Sequence, residues 1–221
     1  LFLKMFHEEV FICFMLMLIV HAENDAGTSI ENLSFEEISQ YQDPSQMLTT
    51  EEAIVLLRAG PPWGTTFSQC LKSRFKHKTG SRRFDGTVEY YDTQGLTNTR
   101  DVRTHLRNFT VNIRVVKKKG QQTEIVVKEP TSITPGKHRH LSGKNSYKVL
   151  YADEKCVILG DAAESSKDRV CTLWVPESNV NTVPKYCNAL LLFSCSGPIY
   201  DAYEFEKGRC ALYYNNGRVR A

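Results

Sequence analysis

The fold is decided by the stretch from Lys155 to Cys210, which reads KCVILGD over residues 155–161 and VCTLWVPESNVNTVPKYCNALLLFSCSGPIYDAYEFEKGRC over residues 170–210. It holds five of the seven cysteines of the chain. Cys156 and Cys171 each open a short run of Val, Ile, Leu, Thr and Trp, which is typical of a β-strand. Cys187 and Cys195 lie in a predicted helix. The arrangement predicts a helix joined to a sheet by disulfide bonds.

The helix is predicted from its end signals. Pro184 fits a first helical turn, Thr182 or Asn181 fits the N-cap, and a later Gly-Pro pair ends the apolar run. Cys187 and Cys195 are eight residues apart, which is about two helical turns, so both lie on nearly the same face. That face can meet the two strand cysteines across one interface.

Strand alternation then predicts which residues after each strand cysteine face inward. Successive side chains of a strand point to opposite faces of the sheet. If Cys156 and Cys171 point outward to the helix, their alternate neighbours point inward. The predicted inward residues are Val157, Leu159, Thr172 and Trp174.

Composition and charge indicate one soluble globular domain. The 221 residues are 41% hydrophobic and 24% charged, and the formal net charge is +3. This charge is too small to predict nucleic-acid binding. No glycine-rich phosphate loop, G-x-S-x-G or H-E-x-x-H motif is present in the sequence, and we expect neither an enzyme nor a cofactor.

The first 22 residues resemble a secretory signal peptide. Val10 to Val20 is an apolar run of signal-peptide length, shorter than a membrane span, and small residues lead to a predicted cleavage after Ala22. The alternative is a retained hydrophobic anchor. We therefore expect a signal peptide at 1–22, a single domain at 23–221 and an extracellular protein without a membrane partner.

Cleavage leaves six cysteines, because Cys13 lies in the signal segment. An even number in a secreted chain predicts three disulfides, and the absence of a C-x-x-C pair argues against a zinc site. Six cysteines allow fifteen pairings, among which sequence alone does not choose. Asn32 and Asn108 begin N-x-S/T sequons, which are predicted glycosylation sites on the secretory route.

Upstream, alternating residues predict further strands. From Phe67 to Thr79, Leu71 and Phe75 fall on one face, whereas Cys70 and the lysines fall on the other. After a short turn, Val88 and Tyr90 continue the inner face of a hairpin. Other strands are predicted at about residues 53–57, 84–91, 102–106, 109–116, 123–128 and 147–151.

Eight or so short antiparallel strands hide their edges either in an up-and-down barrel or in a sandwich. One late helix favours an eight-stranded barrel, which is wide enough for one small ligand. Asp43 and Pro44 predict a short N-terminal helix. Lys117 to Lys119 fit a solvated hairpin tip, and His138 to His140 a solvated loop rather than a metal or polyanion site.

This pattern resembles the tick salivary lipocalins, the group that includes histamine-binding proteins. The resemblance lies in Cys156-Val-Ile-Leu, Cys171-Thr-Leu-Trp-Val, the helix cysteines and the closing Tyr200-Asp201 before Cys210. It implies a lipocalin barrel with a C-terminal helix outside. It also implies a Cys70–Cys210 disulfide, with Cys156 and Cys171 pairing with Cys187 and Cys195 in an order left open.

The resemblance implies that amine binders of the family carry an acid directly after the first of these cysteines and another before Leu-Trp. Here those positions are Val157 and Thr172. A buried ammonium needs a carboxylate partner, so an apolar or lipid ligand is predicted instead. The predicted ligand-binding residues are Trp174, Thr172, Val157, Leu159, Tyr147, Tyr151, Phe75 and Tyr90.

Three functions follow from this sequence. The first is a secreted carrier that sequesters a small host mediator, more hydrophobic than cationic. The second is binding of histamine or serotonin through other carboxylates, such as Glu89 or Asp153. The third is an inhibitor that binds a host defence protein, for instance of complement, through its loops. For an acidic lipid, the candidates at the mouth are Arg103, Arg107 and Arg114, unless these arginines are solvated on the outer face.

Overall fold

Eight β-strands close into one antiparallel barrel in the computed structural model, as the sequence predicts. The structure describes residues 41–60, 68–92, 106–128, 146–161, 170–195 and 198–218. They belong to one unit, Ser39–Ala221. The strands are β1 (Ile54–Ala59), β2 (Ser68–Gly80), β3 (Arg83–Asp92), β4 (Leu106–Val116), β5 (Glu124–Lys128), β6 (Ser146–Ala152), β7 (Val157–Gly160) and β8 (Cys171–Pro176).

Some features predicted from the sequence lie outside the described residues. They are the signal segment 1–22, the sequon at Asn32, the side chain of Arg103 and the loop with His138 to His140. The strand predicted at 109–116 is part of β4, Leu106–Val116, whereas residues 102–105 of the strand predicted at 102–106 lie outside the described residues.

Each strand pairs with the next along the chain, and β8 pairs with β1 to complete the barrel. Successive connections therefore lie at opposite ends of the barrel. The long connections β1–β2, β3–β4, β5–β6 and β7–β8 share one end, which we call the open end. The shorter connections β2–β3, β4–β5 and β6–β7 share the other, which we call the closed end.

A short helix, α1 (Ser45–Leu48), covers the closed end. It begins after Asp43, whose Oδ1 accepts a hydrogen bond from the Ser45 N–H at 3.0 Å. Met47 is 1% exposed and packs inside the barrel with Phe84 and Ile113. The predicted helix start at Asp43 and Pro44 is confirmed.

A second helix, α2 (Lys185–Ser194), packs on the outer face of β7 and β8. Two disulfides join them, Cys156–Cys187 and Cys171–Cys195. Leu191 of α2 is fully buried in this interface with the strand residues Ile158 and Leu173. The outward orientation predicted for Cys156 and Cys171 is confirmed.

A third helix, α3 (Ala202–Arg218), was not predicted from the sequence. It begins after Asp201, whose Oδ1 accepts a hydrogen bond from the Glu204 N–H at 3.1 Å. It packs against β1 and β2, which pair with each other only at Ile54 and Val55. The helix therefore covers the seam where these two strands diverge.

Two connections fix α3 to this seam. Ala59 of β1 exchanges backbone hydrogen bonds with Tyr200, just before the helix. The Cys70–Cys210 disulfide closes a loop with a sequence separation of 140, for which the chain-entropy model gives about 5 kcal/mol of stabilisation. No helix in the described part of the chain is both long and apolar enough to cross a membrane.

Candidate functional site

The inner face of β7 and β8 lies where strand alternation predicts it. Leu159 is directly opposite Thr172, and Val157 is opposite Trp174. Val157, Leu159 and Trp174 all pack in the cluster that fills the barrel interior. The disulfides to α2 hold the opposite face of the same strands outward. The four residues predicted to face inward from these strands do so.

Trp174 and Thr172 are partners within the barrel. The indole Nε1 donates a hydrogen bond to the Thr172 Oγ1 at 3.0 Å, and both side chains are half-buried. Trp174 packs against residues of the closed-end core and against a second group around Leu56 and Leu71. Position 172, where the resemblance implies an acid in amine binders, thus holds a neutral hydroxyl that accepts a hydrogen bond from an indole.

Tyr90 and Phe109 extend the aromatic lining beside Trp174. Their rings meet edge to face, with centroids 6.2 Å apart, and both pack in the group that includes Trp174. Tyr147 lies opposite Ile125 of the interior core, so it faces inward as predicted. Phe75 packs against the same core. These inner-face positions come from five different strands.

Side-chain packing differs along the barrel axis. Around Met47, Phe84 and Phe75, the described residues leave a void of only about 10 Å³, which is room for about one water molecule. By contrast, Leu159 and Trp174 face inward yet keep part of their surface accessible to solvent. The closed end is a packed core, and the partly exposed inner face lies nearer the open end.

A charged pair lies at the open-end rim. Asp92 ends β3 on the same side of the strand as Tyr90, and Arg107 near the start of β4 is directly opposite Tyr90. The Arg107 Nη2 is 3.7 Å from the Asp92 Oδ2. Arg107 was a candidate ligand contact from the sequence, whereas Asp92 was not. Continuing the alternation from Tyr90 by two residues would have found it.

Tyr151 does not face the interior, and its predicted inward orientation is wrong. The pairing of β6 with β7 shifts between Val149 and Tyr151, which turns the residues after Val149 by one position. Val149 is buried in the interior core, whereas Tyr151 packs in the cluster under α2. Its ring lies edge to face with Tyr186 of α2, with centroids 5.8 Å apart.

Asp153 forms its hydrogen bonds at the turn between β6 and β7. Its Oδ2 accepts hydrogen bonds from the hydroxyls of Tyr151 and Tyr186, and its Oδ1 accepts one from the Cys156 N–H. Burial and this carboxylate raise the pKa of Tyr151 to about 12, and they raise that of Tyr186 as well. Asp153 holds the turn against α2 and does not line the barrel.

The other sequence candidates for charge recognition lie on the outer face. Glu89 alternates with the inward Val88 and Tyr90, and its carboxylate is 3.8 Å from the Arg74 Nε. Arg114 lies between the buried, inward Ile113 and Val115 and is exposed. Glu89 and Arg114 are therefore on the wrong face for a ligand in the barrel.

The sequon residue Asn108 is exposed on the outer face of β4. Its Nδ2 is 3.4 Å from the Glu89 Oε1. An exposed position on a strand surface leaves room for a glycan, and occupancy of this site stays a prediction.

Comparison with known proteins gives a family and a fold. The family model described as tick histamine binding protein matches residues 34–210. Japanin from Rhipicephalus appendiculatus, in a structure bound to cholesterol, superposes with a TM-score of 0.50 at 18% identity, covering 66% of this chain and 89% of Japanin. At this identity the likeness shows the fold alone.

Two crustacean structures are also similar. Lobster apocrustacyanin A1 has a TM-score of 0.48 at 9% identity over 78% of this chain and 91% of its own. H1 crustacyanin from Homarus americanus has a TM-score of 0.47 at 10% identity over 80% and 92%. No curated protein compared with the chain matches it. The family match spans most of the sequence, and the protein therefore belongs to the tick histamine-binding protein family of salivary lipocalins.

Proposed function

We propose that the protein is a secreted carrier that captures a small hydrophobic or amphipathic host mediator inside its barrel. The observation that carries this proposal is the inner face around Trp174 and Leu159, which is apolar, aromatic and only half-buried. Small-molecule sites are mostly apolar, with few polar groups that fix orientation. Here the hydroxyl of Thr172 and the phenols of Tyr90 and Tyr147 are such groups.

Val157 and Phe75 belong to the packed core, so we place them beneath the ligand. Val157 is 3% exposed and packs with Met47 and Phe84. The ligand would lie above them, against Trp174 and Leu159. This arrangement supports a compact apolar body rather than a long chain that reaches the closed end.

The pair of Asp92 and Arg107 would meet the polar head of such a ligand. A guanidinium binds a carboxylate or hydroxyl with directed hydrogen bonds, and the rim keeps that head in contact with water. The cholesterol bound to Japanin has this shape, an apolar body with one polar end, and it supports an amphipathic ligand for this barrel.

Asp92 also supports a second candidate, a biogenic amine. It is an inward carboxylate at the rim, and an ammonium ligand would displace or share its contact with Arg107. We rank this candidate below the lipid, because Val157 and Thr172 supply no charge deeper in the barrel. An uncompensated ammonium buried there would be costly.

Secretion is supported by three disulfides, by the family and by the predicted signal peptide at 1–22. The mediator would then be captured outside cells. Saliva is the expected fluid for this family, and removal of a host mediator would suppress inflammation or haemostasis.

The test is native mass spectrometry of the secreted protein with an equimolar mixture of histamine, serotonin, a leukotriene, a fatty acid and cholesterol. We expect one bound lipid per chain. Trp174→Ala should abolish capture, because it removes the largest inward side chain of the described residues. Phe193→Ala is the matched control, since this aromatic residue on α2 is 86% exposed and lies outside the barrel.

Each outcome decides between the candidates. Capture of a lipid that depends on Trp174 and not on Phe193 supports the carrier. Capture of an amine instead would replace the lipid by the second candidate. If no small molecule is captured and a host complement or clotting factor binds the Trp174→Ala variant normally, the protein is an inhibitor that uses its loops.

A further inference from the structure

Two turns at the closed end, β2–β3 and β4–β5, form a basic patch outside the barrel. Residues 76–85 and 112–124, which include the β2–β3 and β4–β5 turns, carry eight Lys or Arg and two Asp or Glu. The whole chain carries +3, so all remaining residues together carry a net charge of −3. A modest overall charge therefore conceals a basic patch at these two turns, which the proposed barrel site does not use.

A groove of about 620 Å³ runs through this basic patch. Its basic lining residues are Arg82, Arg83, Arg114, Lys117 and Lys118. The hydroxyls of Thr79 and Ser81 lie at its edge. The volume is within the range of roughly 300–1,000 Å³ that is usual for small-ligand sites, but the lining is cationic rather than apolar.

Two of these arginines are placed against each other by the sheet. Arg83 and Arg114 are directly opposite in the β3–β4 pairing, and both are exposed on the outer face. Like charges in this relation destabilise a sheet, because their Cβ atoms lie about 5 Å apart. Among the described residues, neither forms an ion pair. A bound anion between them would remove this repulsion.

The carboxylates near the groove already have partners. Asp43 pairs with Lys117 at 2.6 Å, Asp85 with His77 at 3.2 Å, and Glu124 with Lys148. Lys117 is thus partly neutralised, and the charge left for a ligand comes from Lys118 and from the three arginines Arg82, Arg83 and Arg114. Guanidinium groups bind oxyanions such as sulfate with paired hydrogen bonds.

The groove fits a sulfated polysaccharide better than other polyanions. Single-stranded nucleic acids stack bases on aromatic side chains, and no aromatic residue is among those described in this lining. Membrane surfaces are bound by basic residues next to exposed apolar ones. The large exposed apolar side chains of the described residues, such as Leu192, Phe193 and Phe205, do not line the groove.

We infer that the closed-end groove around Arg83 and Arg114 binds sulfated glycosaminoglycans. It lies at the opposite end from the open rim, so both ligands can be held at once. Attachment to sulfated chains in the host matrix would keep the carrier at its site of release. This inference does not depend on the identity of the barrel ligand.

The experiment measures binding of the intact, disulfide-bonded protein to immobilised heparin on a biosensor. The variant is Arg83→Gln with Arg114→Gln. The control is Lys155→Gln with Lys185→Gln, which removes the same charge from exposed positions near the β6–β7 turn and on α2. We expect the groove variant to raise the Kd at least about tenfold and the control to change it less than about twofold.

Further arms separate the competing anions. Desulfated heparin, phosphatidylserine vesicles and single-stranded DNA should each bind at least about tenfold more weakly than heparin. The groove variant should melt no lower than the wild type, since it removes a repulsive pair. Equal loss in both double variants, preference for vesicles or DNA, or no binding to heparin would each overturn the inference.

Discussion

The indole Nε1 of Trp174 donates a hydrogen bond to the Thr172 Oγ1 at 3.0 Å, across one face of the same strand inside the barrel. The hydroxyl therefore holds the indole ring in one orientation on the inner face. A neutral pair of this kind supports the proposed apolar ligand. It gives no charge to a ligand that carries an ammonium.

Thr172→Asp should convert this pair into an amine site. The new carboxylate would lie beside Trp174, which can add a cation–π contact with an ammonium. We expect affinity for histamine to rise at least about tenfold over the wild type, or about 1.4 kcal/mol, in isothermal titration calorimetry. Thr172→Asn is the control, because it has nearly the same shape without charge. A similar gain in both variants, or wild-type binding as tight as that of Thr172→Asp, would contradict this account.

Strand alternation explains how much of the site was predictable from sequence. Alternation counted from the outward Cys156 and Cys171 correctly placed four inward residues on β7 and β8. The same logic failed at Tyr151, because the pairing shifts after Val149. A bulge inserts a residue without a reliable mark in the local sequence, and every later side chain changes face.

Helix α3 was not predicted from the sequence, for a different reason. Its sequence contains Gly208 and two asparagines, which have low helix propensity, so no strong helical pattern stands out. Asp201 accepts a hydrogen bond from the Glu204 N–H at its start, and the helix is stabilised further by packing on the β1–β2 seam and by the Cys70–Cys210 disulfide. Contacts between residues this far apart in the chain leave no pattern in the sequence of the helix itself. The strands of the barrel, by contrast, show alternation over a few neighbouring residues, and they were predicted for this reason.

Glu206 makes the stability of the α3 seam depend on pH. Its side chain is buried beside the disulfide, and its Oε2 accepts a hydrogen bond from the Cys70 N–H at 2.7 Å. Burial raises the pKa of Glu206 to about 7, although that hydrogen bond and Arg209 oppose the shift. The folded state thus binds the proton more tightly than the unfolded state, where the pKa is about 4.5. The free energy of unfolding should fall as pH rises from about 4.5 to 7.

Glu206→Gln should remove this part of the pH dependence. Gln keeps an oxygen for the Cys70 N–H but carries no charge to bury. At pH 8 we expect the variant to be more stable than the wild type by about 1–3 kcal/mol, and at pH 4 by about none. Urea unfolding at both pH values measures the difference. Glu204→Gln on the same helix is the control, since Glu204 is exposed and pairs with Lys207. Identical pH profiles for the two variants would be inconsistent with a buried, titrating Glu206.

At Gly86, strand β3 runs so close to β2 that no room is left for a side chain. A Cβ added there would lie 2.7 Å from the backbone carbonyl oxygen of Arg74, and that atom cannot move without shifting the strand. Gly86→Ala should therefore destabilise the protein by about 1–3 kcal/mol through overpacking, measured by urea unfolding. Gly80→Ala is the matched control on the same strand pair, because its nearest contact would be an ordinary 3.7 Å to the Arg83 side chain. The control should change stability by less than about 0.5 kcal/mol. Equal effects at both positions would mean that general loss of glycine flexibility, and not the contact with Arg74, determines the result.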